Sequence, residues 1–255
     1  MNPIVLYILL FILGACVGSF LNVCISRLPK DQSVVFPPSH CPHCRKRLKY
    51  YDLIPVLSYL ILGGKCRYCK KAISLRYPVV ELLSAAAFVI MYLCGFDIIH
   101  YVFYLFFLLL LIIIFFTDLE EEIIPDQVII LGIIAGLSYS FYYGVIVNAL
   151  VAMLIGGGFF FMVYKIAYWY YKKEGLGQGD IKLGVMLGAC LGIPGLIVCL
   201  SVAYIIGAVV SAFLLALNFK KLKDRIPFGP FLVIGAVSSV FFAGRLIGMY
   251  LSLFR

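Results

Sequence analysis

The chain has 255 residues, 64% of them hydrophobic and 13% charged, with a net charge of +9 and a mean hydropathy of +1.08. A soluble globular domain is about 45–50% apolar, so the composition excludes one and predicts an all-α polytopic membrane protein of about eight transmembrane helices. The positive balance is therefore a topology signal rather than a mark of nucleic-acid binding.

The first predicted span covers about 4–26 and stands as the first part of the chain, residues 1–26. Within it, "LGAC" at 13–16 loosely resembles a lipoprotein cleavage box. A signal peptide carries its positive charge ahead of the apolar core. Here the charge follows the core, at Arg27 and Lys30, which predicts an uncleaved membrane helix. Ser19, Asn22 and Ser26 recur on it at helical spacing. They suit interhelical hydrogen bonds or the holding of a substrate backbone.

Residues 27–77 form the one long polar segment, with eleven of the 21 Lys and Arg. Basic segments stay cytoplasmic, which puts this insertion between the first two spans on that side. It holds two Cys-x-x-Cys pairs, Cys41/Cys44 and Cys66/Cys69. A two-residue gap lets one tight turn present both sulfurs to one ion, and two such turns complete a tetrahedral zinc site. Four thiolates leave no open position, so the predicted zinc is structural, stabilising a loop with little core of its own. The alternative is two disulfides, which a reducing cytoplasm disfavours. His40 and His43 are read as bystanders, Asp31 and Asp52 as solvated. Cys16, Cys24, Cys94, Cys190 and Cys199 lie in apolar spans, as packing residues.

Residues 78–255 are predicted as a seven-helix membrane domain, with spans at about 78–96, 99–117, 127–144, 146–168, 180–193, 195–218 and 229–251. The span at 180–193 is short and Gly-rich. Lys165, Lys172, Lys173 and Lys182 flank one turn and Lys220, Lys221, Lys223 and Arg225 another. The turns near 97, 145 and 194 have no Lys or Arg. This alternation gives both termini outside. Asp97 and Asp224 read as solvated.

Ionisable groups within spans are costly and usually functional. Glu81 begins the second span, as one half of an ion pair or as a contact for a methyl donor. Asp118 ends the third, in "FFTDLEEEIIPD". Two crossings later the chain returns to the same leaflet at "KEGLGQGDIKL", so Asp180, 62 positions on, falls at the depth of Asp118. Two such carboxylates can share a proton and activate a water between them, as in an aspartic protease. Gly175, Gly177 and Gly179 would allow close backbone approach and unusual torsions; they also suit a plain turn between spans. Lys182 reads either as a contact to a substrate carbonyl or as a snorkelling lysine. Glu120, Glu121 and Glu122 read either as receivers for a basic peptide or as a solvated acidic patch.

The stretches "GSFLNVCISRLP" (18–29), "CPHC", "CRYC", "RYPVVE" (76–81), "TDLEEEIIPD" (117–126) and "GQGDIKL" (177–183) occur in that order. Together they make the chain resemble the bacterial prepilin peptidases, or type IV leader peptidases. The resemblance implies an inner-membrane aspartic endopeptidase, active at the cytoplasmic face, with catalytic residues at Asp118 and Asp180. The implied substrates are prepilins or pseudopilins, through their basic leaders and transmembrane segments. Methylation of the new N-terminus with S-adenosylmethionine is implied by the resemblance alone, since no Gly-rich strand–helix motif is present. Asp118, at a helix end before three glutamates, suits the protonated partner; Asp180, at a helix start beside Lys182, suits the base. A proton- or ion-coupled transporter using the two aspartates is the alternative function, and a non-catalytic zinc-bearing scaffold is a further one.

Overall fold

The computed structural model describes residues 3–171, 177–217 and 227–252. The basic residues at 172–173, 220–225 and 255, with Glu174, Gly175 and Asp224, lie outside them. Regular structure among the described residues is helical, apart from two isolated bridges, His40 with Arg47 and Lys65 with Ala72. Eight α-helices are described: α1 (Pro3–Arg27), α2 (Leu57–Ile61), α3 (Arg76–Leu93), α4 (Ile98–Glu121), α5 (Asp126–Tyr142), α6 (Ile146–Tyr171), α7 (Gln178–Ala216) and α8 (Gly229–Ser252). Of these, α1, α3, α4, α6, α7 and α8 are long and apolar enough to cross a membrane, and α5 is a shorter apolar helix. The chain divides into two compact units, Met1–Ile113 and Ile114–Arg255, with the boundary inside α4.

In the first unit α1 and α3 run antiparallel at very close range. A Cβ on Gly14 would come 2.7 Å from Ala85 Cα, and one on Gly18 would come 2.6 Å from Glu81 Cα. Two glycines four apart on one helix face let backbones meet, which is how apolar helices gain packing contact in lipid. Between α1 and α3 lies the cysteine-bearing insertion, carrying two short 3-10 turns, Leu28–Lys30 and Tyr50–Leu53, and α2.

In the second unit α7 covers two of the predicted spans. Phe160 on α6 sits where a Cβ on Gly184 would meet its ring at 2.5 Å. Its neighbour Phe159 stacks edge-on with Tyr204, 5.8 Å between centroids. Gly184 and Tyr204 would be about 30 Å apart on one straight helix, so α7 doubles back. The fold-back is at Gly192, whose φ of 63° and ψ of −177° break the helix, with Pro194 just beyond. The second limb is restarted by Asn148, whose Oδ1 accepts the Ile193 N–H at 2.9 Å. The two limbs correspond to the spans predicted at 180–193 and 195–218. Against the first limb pack α5 and α6: a Cβ on Gly188 would lie 2.4 Å from Ala152 O. Against the second limb packs α8, antiparallel, with Ser239 donating to Gly195 O at 2.9 Å and Gly235 close against Cys199 O.

Candidate active site and metal centre

The candidate metal centre is built from two copies of one turn. In the first, the Arg45 N–H donates to Cys41 O at 2.8 Å and the Cys41 N–H to Lys46 O at 3.0 Å. In the second, Lys70 N–H donates to Cys66 O at 3.0 Å and Cys66 N–H to Lys71 O at 2.9 Å. Each turn is closed by a residue at positive φ, Arg45 at 56° and Lys70 at 59°. The four sulfurs lie within 4.8 Å of one another, and Cys41 Sγ is 3.8 Å from Cys69 Sγ. A tetrahedron of sulfurs about 2.3 Å from one ion has edges of this length, so the four cysteines fit a metal ion. Main-chain N–H groups of Cys69 and Tyr68 aimed at Cys66 pull its thiol down to about 7, while a hydrogen bond from Lys71 is outweighed by burial and the neighbouring sulfurs, which push Cys69 up to about 11. His40 and His43 lie outside this cluster, and His40 Nδ1 is 3.0 Å from Pro38 O.

Asp52 corrects one expectation. It is not solvated: its side chain is 3% exposed and pairs with Arg67 Nε at 2.8 Å, tying the segment between the two turns to the second turn. Asp97 is engaged locally as well, accepting from the Ile99 and His100 N–H groups at the start of α4.

The serine and asparagine row of α1 faces α3. Asn22 Nδ2 donates to Tyr77 O at 3.0 Å, Ser26 Oγ accepts from Arg76 Nη2 at 2.8 Å, and Ser19 bonds Glu81. Glu81 is buried, and its Oε2 accepts the Val56 N–H at 2.7 Å. Val56 itself has φ 62° and ψ −51°, and Leu57 N–H donates to Pro55 O across it at 2.6 Å. This is a strained γ-turn, rare for a β-branched residue. Glu81 thus fastens a strained point of the insertion to α3, which sequence reading did not anticipate.

The two aspartates lie in the second unit, on different helices, each 7% exposed. Asp118 lies in the last turn of α4, beside fully buried Thr117. Asp180 occupies the first turn of α7, three residues after its N-cap, Gly177. Its carboxylate turns back to the main chain of Gly177, as an acid at this helix position does when it caps free N–H groups. The spacing Gly-x-Gly-Asp is explained by that geometry. Gly177 has φ −69° and ψ 142°, open to any residue; what its lack of a side chain provides is an exposed backbone, not an unusual torsion. Gly179 packs against Ile124, 3.3 Å from a notional Cβ. The charge of Asp118 acts on Asp180, so the chain brings the pair into each other's electrostatic reach. Asp180 in turn acts on Tyr204.

Lys182 corrects a second expectation. Its ammonium lies on Asp126, 2.6 and 2.8 Å from the two carboxylate oxygens, and both partners are about half exposed. Asp180 keeps its place at the helix start, while the lysine is committed to Asp126. Glu120, Glu121 and Glu122 are exposed after Asp118.

Gly229 was missed. A Cβ there would fall 2.5 Å from Asp118 Oδ2 and 2.8 Å from its Cγ, and that buried Oδ2 has no hydrogen-bond partner of good geometry. The first residue of α8 thus forms the floor under Asp118. The only sequence sign is a glycine between Phe228 and Pro230 at the start of a span, which reads equally well as a plain helix start.

A polytopic helical membrane protein with a buried aspartate pair and a four-cysteine insertion is the class these features define. The chain matches the Bacterial Peptidase A24 N-terminal domain over residues 12–94 and the Type IV leader peptidase family over residues 105–212. It is 40% identical to a prepilin leader peptidase/N-methyltransferase of Myxococcus xanthus over 82% of this chain and 63% of that one. It is 30% identical to the protein of that name from Stutzerimonas stutzeri, over 100% of this chain and 96% of the relative. The corresponding Pseudomonas aeruginosa protein is 31% identical over 98% and 95%. No solved structure matches. The chain belongs to the type IV leader peptidase family.

Proposed function

We propose that this protein is a membrane aspartic endopeptidase that removes the basic leader from type IV prepilins or pseudopilins, with Asp118 and Asp180 as the catalytic pair. The observation that carries the reading is two buried carboxylates from distant helices within electrostatic reach of each other, in a chain of this family. The pair holds one proton between them. The ionised carboxylate takes a proton from a water as that water attacks the scissile carbonyl. The protonated one polarises the carbonyl and then supplies the leaving amine's proton. Desolvation at this depth strengthens each of these interactions.

The four cysteines hold a structural zinc, the ion that suits an S₄ shell. The basic segments put the insertion and the aspartates on the cytoplasmic side of a bacterial inner membrane. Gly177 and Gly179 give the substrate backbone room beside Asp180, and Glu121, with Glu120 and Glu122, attracts the basic leader. Asn22 and Lys182 act structurally, through Tyr77 and Asp126. Family membership gives the transporter alternative no support. Methylation of the new N-terminus, part of the relatives' name, is a second proposed activity, with S-adenosylmethionine as donor.

The test is incubation of the purified protein with a prepilin peptide, with and without the methyl donor, read by mass. Cleavage at one bond, lost in both Asp118→Asn and Asp180→Asn, supports the reading. Full turnover in either variant overturns the pair as the catalytic centre. A further mass gain of one methyl group supports the second activity.

A further inference from the structure

We propose that the apolar face of α2 is seated in the surface of the bilayer and anchors the cysteine-bearing insertion to the leaflet at which α3 begins. This goes beyond the peptidase reading and stands without it, since every residue it rests on lies in the first unit. The face is built the wrong way round for water. Leu57, Leu60 and Ile61 are 57%, 66% and 78% exposed, whereas Ser58 and Tyr59 between them are partly buried. Residues at i, i+3 and i+4 share one side of a helix, so the three apolar side chains form one outward stripe. Leu53 and Ile54, just ahead of α2, are exposed as well. Five residues are too few to cross a membrane, so such a stripe lies in the bilayer surface rather than spanning it.

Two tethers fix the depth of α2. At its start, the Val56 N–H donates to Glu81 Oε2 at 2.7 Å, and Glu81 lies in the second turn of α3. At its end, Tyr59 OH donates to Ile73 O at 3.4 Å, and the Ile73 N–H donates to Gly64 O at 2.7 Å. Residues 56–64 are thereby held against residues 73–81, the stretch in which α3, long and apolar enough to cross a membrane, begins. Leu75, the N-cap of α3, is exposed at the same level. Apolar side chains at that depth meet headgroups and the tops of acyl chains rather than water. The charge around them selects the same occupant. Residues 27–77 carry eleven Lys and Arg against two acids, Asp31 and Asp52, and Asp52 is paired with Arg67. Lys49 and Lys65, on either side of α2, are exposed. A basic rim around an apolar stripe fits anionic headgroups. A second copy of this chain would set the same positive surface against itself. Tyr50, also exposed, is of the residue type enriched at membrane–water boundaries.

The experiment uses the full-length protein in nanodiscs of phosphatidylglycerol and phosphatidylcholine whose acyl chains carry bromine near the headgroup, a contact quencher of tryptophan fluorescence. The chain's one tryptophan, Trp169, is changed to Phe, and Leu57→Trp, Leu60→Trp or Ile61→Trp is then introduced singly. Leu154→Trp, at an exposed position within α6, is the lipid-facing reference. Brominated lipid is expected to quench at least two of the three α2 reporters about half as strongly as the reference or more. All three positions are exposed, so a larger ring needs no repacking, and three reporters cover the failure of any one to fold. Quenching at that level in fewer than two reporters overturns the proposal. Aqueous iodide then says what faces α2 instead: strong quenching by iodide means water, and protection from both quenchers means a second copy of the chain or another protein.

Discussion

Replacing Gly229 by alanine isolates the geometry of the proposed catalytic pair from its chemistry. The new methyl would sit 2.5 Å from Asp118 Oδ2, 2.8 Å from Cγ and 3.2 Å from Cβ, whereas real Cβ contacts essentially never fall under 3.0 Å. The carboxyl group must therefore move by at least about half an ångström, the tolerance within which catalytic groups have to be held. The atom displaced is the free end of a side chain, so the overlap is relieved by rotating Asp118 rather than by moving α8. Stability should fall by no more than about 1–3 kcal/mol, the usual cost of an added methyl in a packed site. Activity should fall further, because about 1 Å of misplacement costs on the order of a hundredfold. Peptide cleavage measured beside thermal unfolding should give a loss of about ten- to a hundredfold in kcat/KM with the folded protein retained. Gly244→Ala, on the same helix with nothing within 4 Å, is the control and should behave as wild type. In an Asp118→Asn background Gly229→Ala should cost little more, since the two act through one group. Wild-type turnover in Gly229→Ala would refute the placement of Asp118 at the reacting centre.

Other expectations follow from the same coordinates. Asp118→Asn and Asp180→Asn should each lower cleavage by at least about 10²–10⁴-fold, with unchanged helical circular dichroism. Cys41→Ser or Cys66→Ser should abolish a bound metal, close to one per chain in the wild type by elemental analysis, and a strong chelator should lower thermal stability in the same way. Glu81→Ala strands the part-buried Val56 N–H and should cost about 1–3 kcal/mol, read as faster proteolysis near 50–62; Glu81→Gln, which keeps an acceptor, should lose less. Asp126→Asn breaks a half-exposed pair with Lys182 and should change stability by no more than about 1 kcal/mol and leave peptide cleavage near wild type.

Much of the frame is local and so was legible. Runs of apolar residues must be helical to satisfy their backbone in lipid, and the eight predicted segments appear as helical stretches with ends shifted by a few residues, two of them within α7, while six of the helices are long and apolar enough to cross a membrane. The Cys-x-x-Cys turns are set by a few adjacent residues. Single contacts across space were not legible. Lys182 is two residues from Asp180 in sequence, yet its direction on the helix and a better partner at Asp126 carry its charge elsewhere. Asp52 looked like any loop acid until Arg67 closed over it. Glu81 was read as an ion-pair partner or a contact for a methyl donor, and its partners are a hydroxyl and a main-chain N–H.

The sequence by itself determined the class of protein, the apolar helices and the four-cysteine cluster, because periodicity, charge and short spacing act within a few residues. Only the tertiary structure decided what lies against the two buried acids Asp118 and Asp180, above all the bare backbone of Gly229 under Asp118. Those are contacts between helices far apart in the chain, fixed by how glycine-bearing faces pack at van der Waals range, and no residue's identity announces its neighbour across such a seam.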